Sequence, residues 1–275
     1  MTMLSINTNI GALNASQSSY SVNNSMETSM ARLSSGNRIN SAADDAAGLQ
    51  IARRMDTEIQ GLNQAVRNAA DAQALLQTAE GALDEVHTIL LRIRELSVQA
   101  SNGTYGAQDR LAIQAEVTDL QSEITRISND TTWNSISLIE GSQSTGITFQ
   151  IGADNAQTVT VAIANIALAT LSIGGTAQVT TATNAMSYIA AVDKAISVIS
   201  TNRGTYAAAI NRLDHSVANM QDAATNLAEA KGRITDADFA AETSNLSRTQ
   251  VLQQASMAML AQANAAKQNI LTLIQ

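Results

Sequence analysis

Neither cysteine nor proline occurs in the 275 residues. Without cysteine there can be no disulfide, thiolate metal ligand or thiol nucleophile, so stability has to come from packing. Without proline the commonest cause of a helix break is gone, and long uninterrupted helices become possible. Aromatic residues make up 3% of a chain that is 45% hydrophobic, so its apolar surface is mostly aliphatic and small, which suits close contact between helices. Positive charge is also short: 16 Lys and Arg against 24 Asp and Glu leave a formal net charge of −8. No basic stripe is available to neutralise phosphates, which argues against a nucleic-acid partner. Long apolar runs are missing too. The uncharged stretches 155–192 and 249–266 are interrupted by Gln, Asn, Ser and Thr, so no membrane insertion is expected. The segment before Glu27 lacks both the basic and the apolar region of a cleavable leader.

What is present is helical periodicity. Ile189, Val192, Ile196, Ile199, Arg203, Tyr206, Ile210, Leu213, Val217, Met220, Ala224, Leu227, Lys231 and Ile234 recur in steps of three and four, a heptad seam. A helix over 184–231 would be roughly 70 Å long at 1.5 Å per residue, more than a compact domain needs. Two further faces can cover it, one through Leu76, Ala79, Leu83, Val86, Leu90 and Ile93, the other through Ile113, Val117, Leu120, Ile124 and Ile127. Between them, residues 101–106 (SNGTYG) read as a helix stop and turn. The expected fold is mainly α: an elongated antiparallel helical bundle or coiled coil with a small β-hairpin tip. In the hairpin, Ile147, Phe149 and Ile151 alternate, a turn follows at 152–155, and Val159, Val161 and Ile163 alternate again. Residues 164–183 are rich in Thr, Ala and Gly, their fold is left open, and the whole stretch to 183 is expected to form an exposed outer tip.

The two ends form a separate pair. One helical face runs through Leu252, Ala255, Met259, Ala263, Ala266, Ile270 and Leu273, and a looser one through Ile10, Leu13, Tyr20, Val22, Met26, Met30 and Leu33. Each large side chain buried gains roughly 1.5 to 3 kcal/mol, against roughly 1 to 2 kcal/mol of backbone entropy for each residue ordered. Faces this narrow are marginal alone and should order against neighbouring copies. Residues 34–37 (SSGN) read as a stop, Ser41 with Asp44 as the cap of the next helix, and Thr235 with Asp238 as a capping pair near the other end. If the chain doubles back, these two hinges lie side by side. The domain reading is 1–40 and 232–275 as the two parts of an inner coiled coil, and 41–231 as the rod, with helices over 41–128 and 184–231 and the hairpin and variable region at about 140–183.

The segments SINTNIGALNA (5–15), RLSSGNRINSAADDAAGLQIA (32–52), RNAADAQALLQTAEGAL (67–83), RIRELSVQASNGT (92–104), NRLDH (211–215), RITDADFAAE (233–242) and VLQQASMAMLAQAN (251–264) stand in the order seen in flagellins. On these residues the chain resembles a bacterial flagellin over about 4–140 and 185–275, and leaves unmatched the middle, where that family varies. The resemblance implies a secreted subunit of the extracellular flagellar filament that self-associates through its end faces: Ile10, Leu13, Leu33, Leu252, Ala255, Met259, Ala263, Ile270 and Leu273. It implies type III export with an uncleaved N-terminus, an export chaperone on the C-terminal helix, and assembly with filament cap and hook-junction proteins. It also implies that Arg92, Leu96 and Glu116 match positions contacted by an animal innate immune receptor. The bland reading of these is a packed leucine and a solvated charge. Two departures stand out: Trp133-Asn134-Ser135 where the family commonly has Phe-Asn-Gly, and Gly232 where it has Ser. The short middle implies a comparatively smooth filament.

No enzyme, metal site or cofactor is expected. Asp44 and Asp45 are adjacent, so on a helix they diverge, and capping explains them better than acid–base work. His87 and His215 are the only histidines and stand in no HExxH arrangement. Walker and GxSxG loops are missing. Two other classes are weighed: a hook–filament junction protein with similar terminal helices, and a coiled-coil signalling module, against which the uncharged stretch 249–266 argues.

Overall fold

The structure, a computed structural model, describes residues 8–175 and 178–274, with side chains to residue 266. Five helices dominate: α1 (Ile10–Ser35), α2 (Ala46–Ser101), α3 (Ala107–Asp130), α4 (Ala182–Thr235) and α5 (Phe239–Ile274). Two small antiparallel pairs of strands lie between α3 and α4: β1 (Thr132–Trp133) with β2 (Ile136–Ser137), and β3 (Ile147–Gln150) with β4 (Thr158–Val161). The expected helical class holds. The chain divides into two compact units, one of residues 1–57 with 226–275, the other of residues 58–225.

The second unit is an antiparallel bundle of α2, α3 and α4. Leu76, Ala79, Leu83, Val86, Leu90 and Ile93 of α2 are fully buried, together with Val117 and Ile124 of α3. Along α4 the deepest stripe is Ala185, Tyr188, Val192, Ala195, Ile199, Tyr206, Ala209 and Leu213. It lies one position to the side of part of the expected seam, so Ile189, Ile196, Ile210 and Val217 flank it half-buried. Polar pairs fix the register of α4 on α2: Arg94 Nε to Asp193 at 2.7 Å, Arg203 to Glu80 at 2.7 Å and to Asp84 at 2.8 Å, and Gln73 donating to Asp214 at 2.7 Å. Each step forward on α2 is a step back on α4.

The expected hairpin is present, with Ile147 opposite Val161 and Phe149 opposite Val159. The end of the hairpin, residues 153–158, is exposed, while its Val159 and Val161 are buried. Its turn folds back on the bundle at Gly61, where an added Cβ would stand 2.9 Å from the Cβ of Ala153, and Asn68 donates to the Gln150 carbonyl at 3.0 Å. The following segment is also inside: Ile163, Ile166, Leu171, Ile173 and Val179 are all buried. Buried polar side chains hold its backbone. The Tyr206 hydroxyl accepts from Ala164 N–H at 2.7 Å, and the Gln114 amide oxygen accepts from Val179 N–H at 2.8 Å. Gln121 donates to the Ile173 carbonyl at 2.6 Å and to the Tyr188 hydroxyl at 2.8 Å, and that hydroxyl donates to the same carbonyl at 3.0 Å. A buried segment without ladder partners needs such donors and acceptors, because orphaned backbone groups cost stability.

The strands β1 and β2 were not read from the sequence, although the turn between them lies where Ser135 departs from the family's Gly. Asn134 and Ser135 both have left-handed backbones, φ 48 and 65, the geometry of a two-residue turn that favours Asn-Gly. Asn tolerates this region; Ser does so at a cost of roughly 1–2 kcal/mol. Ser135→Gly should therefore raise stability by about 0.5–1 kcal/mol, the larger unfolded-state entropy of glycine offsetting part of the gain. Urea unfolding of the two proteins side by side measures it, and an unchanged or lower midpoint would refute the strain.

Candidate assembly interface

In the first unit α1 and α5 pair antiparallel. Gln253 donates to Asn23 at 2.8 Å, Asn9 donates to the Ala263 carbonyl at 3.2 Å, and Arg32 stands 3.9 Å from Glu242. The facing stripes are mostly small or polar: Ala12, Ala15, Ser19 and Ser29 on α1, Thr249, Gln253 and Ser256 on α5, with Val22, Met26, Leu33, Leu246 and Leu260 among them. Ser29 is the one buried residue of α1.

Other large apolar side chains lie outside this seam. Ile10, Leu13 and Tyr20 are 58%, 60% and 66% exposed, and Leu252 and Met259 are 45% and 66% exposed. Ala255 is exposed, while Leu33 and Ala263 are half-buried in the pairing. The side chains of Ile270 and Leu273 lie outside the described residues, as do residues 5–7 of the N-terminal motif. Three exposed residues that pattern reading passed over or left out of the site join this surface: Met30, Val251 and Met257. Their spacing was on the page, but they flank the stripe that a single-face reading selects.

The two connections lie side by side, as expected. Gly36 closes α1 in the left-handed conformation at φ 71, and its carbonyl accepts from Ala237 N–H at 2.9 Å. Arg38 N–H donates to the Thr235 carbonyl at 2.6 Å, and the Arg38 guanidinium donates to the Ile234 carbonyl at 2.7 Å. Lys231 and Asp56 form an ion pair at 2.5 Å. Gly232 does not break α4, because Asp236 N–H still donates to its carbonyl at 2.8 Å.

The caps differ from those expected. Asp45, not Ser41, caps α2, its side chain accepting from Gly48 N–H at 2.8 Å. Asp238, not Thr235, caps α5, accepting from Ala240 N–H at 2.9 Å and Ala241 N–H at 3.2 Å. An aspartate immediately before the helix reaches its free N–H groups directly, so no more distant hydroxyl is needed. Asp44 instead ties the preceding turn, accepting from the N–H of Ser41 at 2.8 Å and of Asn40 at 3.2 Å and from the Ser41 hydroxyl at 3.0 Å.

In the second unit, one Glu116 oxygen accepts from Arg92 Nε at 3.0 Å and Nη2 at 2.8 Å, and Glu95 accepts from Nη1 at 2.7 Å. These hydrogen bonds raise the Arg92 pKa further. Leu96, one turn along α2 from Arg92, is 2% exposed and belongs to the core. His87 is half-buried and His215 exposed. Among the described residues no group of three or more His, Cys, Asp or Glu could hold a metal, and no helix is long and apolar enough to cross a membrane.

An antiparallel helical bundle, joined in sequence to a pair of terminal helices that leave several large apolar side chains exposed outside their own pairing, defines the class of protein. Residues 6–144 match the bacterial flagellin N-terminal helical region and residues 189–274 the bacterial flagellin C-terminal helical region. The chain is 42% identical to a flagellin of Halalkalibacterium halodurans over 98% of this chain and 99% of that one. It is 40% identical to a flagellin of Bacillus subtilis with the same coverage. A crystal structure of Bacillus cereus flagellin superposes with a TM-score of 0.51 at 32% identity, covering 60% of this chain and 94% of that one. A flagellar hook-associated protein from Vibrio parahaemolyticus shares the fold, with a TM-score of 0.61 at 15% identity over 70% of this chain and 100% of that one. The chain belongs to the bacterial flagellin family.

The Asp44 contacts hold its carboxyl below the ordinary value of 3.8, the Ser41 N–H being the largest cause, followed by the Ser41 hydroxyl and then the Asn40 N–H. A depressed folded-state pKa contributes stability above the unfolded value, and that contribution is lost as pH falls through the lower folded value. Asp44→Asn should therefore destabilise the protein at neutral pH, and the gap to wild type should close as pH falls below 3.8. Denaturant titrations across pH 2 to 7 (approximate range) test this; a gap independent of pH would sink it.

Proposed function

We propose that this chain is a structural subunit of the bacterial flagellar filament, which turns rotation at its base into swimming thrust, and that copies associate through the outward faces of α1 and α5. One observation carries the reading: Ile10, Leu13, Tyr20, Leu252 and Met259 are more exposed than the mostly small and polar residues that join the two helices. Large exposed apolar side chains concentrated on two paired helices support an interaction site there. Leu33, Ala255, Ala263, Ile270 and Leu273 complete the proposed assembly set. Residues 1–40 and 232–275 then form the inner coiled coil and 41–231 the outer part. The junction-protein alternative has weaker support, since the likeness to a hook-associated protein is one of fold at 15% identity.

In this reading the subunit is secreted by the flagellar export apparatus, with a chaperone on α5 before export and cap and hook-junction proteins at assembly. Its work is mechanical, not catalytic. Added to filament seeds, the protein should elongate them; a junction protein would stop them. Amides of α1 and α5 should exchange rapidly in the monomer and slowly in the filament. Equal protection in both states would overturn coupled folding and assembly.

Arg92 and Glu116 form the proposed surface for an animal innate immune receptor, with Leu96 in the core one turn along α2 from Arg92. Arg92→Ala combined with Glu116→Ala should weaken receptor binding by about tenfold or more. Leu96→Ala is a poorer probe, because truncating a buried leucine costs about 2–5 kcal/mol of stability. Unchanged affinity of the double variant rejects this surface.

A further inference from the structure

We infer that Met30, Met257 and Met259 are three separate oxidant-sensitive positions on the α1–α5 unit, at which hydrogen peroxide converts the thioethers to sulfoxides and blocks self-association. The inference rests on the assembly reading above and adds a chemistry to it. With no cysteine in the chain, two-electron oxidation of sulfur falls on its nine methionines. Their exposure sorts them. Met30, Met257 and Met259 of the α1–α5 unit are 53%, 60% and 66% exposed, Met186 of the other unit is 58% exposed, and Met220 is 6% exposed within the bundle.

Position gives the reaction its consequence. Met259 lies one turn along α5 from Ala255 and two turns from Leu252, on the face proposed to meet another copy. Met30 and Met257 flank the α1–α5 seam, next to Met26 and Ser256. In each, the thioether sulfur attacks one peroxide oxygen, the O–O bond breaks, and a molecule of water leaves. Sulfur is oxidised by two electrons and the peroxide is reduced. The product replaces a flexible apolar group with a strong, permanently polar acceptor. Burying such an acceptor without a donor opposes association, and a single sulfoxide should slow elongation by about tenfold. The same sulfoxide at Met186 leaves the proposed assembly face untouched.

The test treats full-length monomer with hydrogen peroxide, locates sulfoxides by peptide mass spectrometry, and measures elongation from untreated filament seeds. Met30, Met257, Met259 and Met186 should oxidise while Met220 stays reduced. Elongation should fall at least about tenfold and return after treatment with methionine sulfoxide reductases. The variant with Met30→Leu, Met257→Leu and Met259→Leu is read against its own untreated form, and peroxide should leave its elongation rate at that untreated value even though its Met186 is oxidised. Undiminished elongation by oxidised wild type, failure of repair to restore it, or equal loss in the triple variant would each overturn the inference and leave the assembly reading standing. If untreated wild type does not elongate seeds, the assembly reading falls and this inference with it.

Discussion

The governing constraint is a mismatch between the two faces of the terminal helices. Where α1 meets α5, much of the contact is made by alanine, serine, threonine, asparagine and glutamine; where the pair meets water, isoleucine, leucine, tyrosine and methionine stand exposed. Most helices of soluble proteins are arranged the other way, with the apolar stripe toward the core. A pairing with so few large buried groups has little to set against the entropy of ordering its residues. Surface left uncovered inside one chain is available between chains. That is the physical basis of a subunit whose ends are completed by other copies, and it agrees with membership of a filament-forming family.

The bundle of residues 58–225 is built on the opposite plan. Leu76, Leu83, Leu90 and Ile93 have no solvent exposure, and ion pairs at the rim of α2 and α4 set their alignment. Individually such exposed pairs contribute little energy, but opposite charges brought together in one register oppose slippage along a repetitive heptad surface. Stability comes from the core, and alignment from its edge. At the junction of the first unit, backbone hydrogen bonds between 36–38 and 235–237 tie the two chain crossings together without a disulfide.

The middle of the chain shows how polar side chains permit an irregular segment to be buried. Residues 163–175 and 178–179 have no helix and no strand partner, yet five of their apolar side chains are in the core. Tyr206, Tyr188, Gln121 and Gln114 supply the hydrogen bonds that a sheet would otherwise supply. Two of these are tyrosines on the helical seam, where the ring fills the core and the hydroxyl reaches the backbone; burial raises the pKa of both.

The sequence by itself determined the helices, their approximate ends, the β3–β4 hairpin and the family. Each of these follows from local periodicity, from stop signals such as Gly36, or from ordered motifs along one stretch of chain. Tertiary structure decided the rest. That the hairpin folds back to Gly61, that Ile163, Ile166, Leu171, Ile173 and Val179 enter the core, and that Leu96 is buried all depend on contacts between residues far apart in the chain, which periodicity does not encode. The caps fell between these cases: Asp45 and Asp238 were visible, but which of several nearby polar groups reaches the helix end was decided by backbone geometry. The same holds for the terminal helices, where the sequence showed narrow apolar faces and only their pairing revealed which of those side chains remain turned outward.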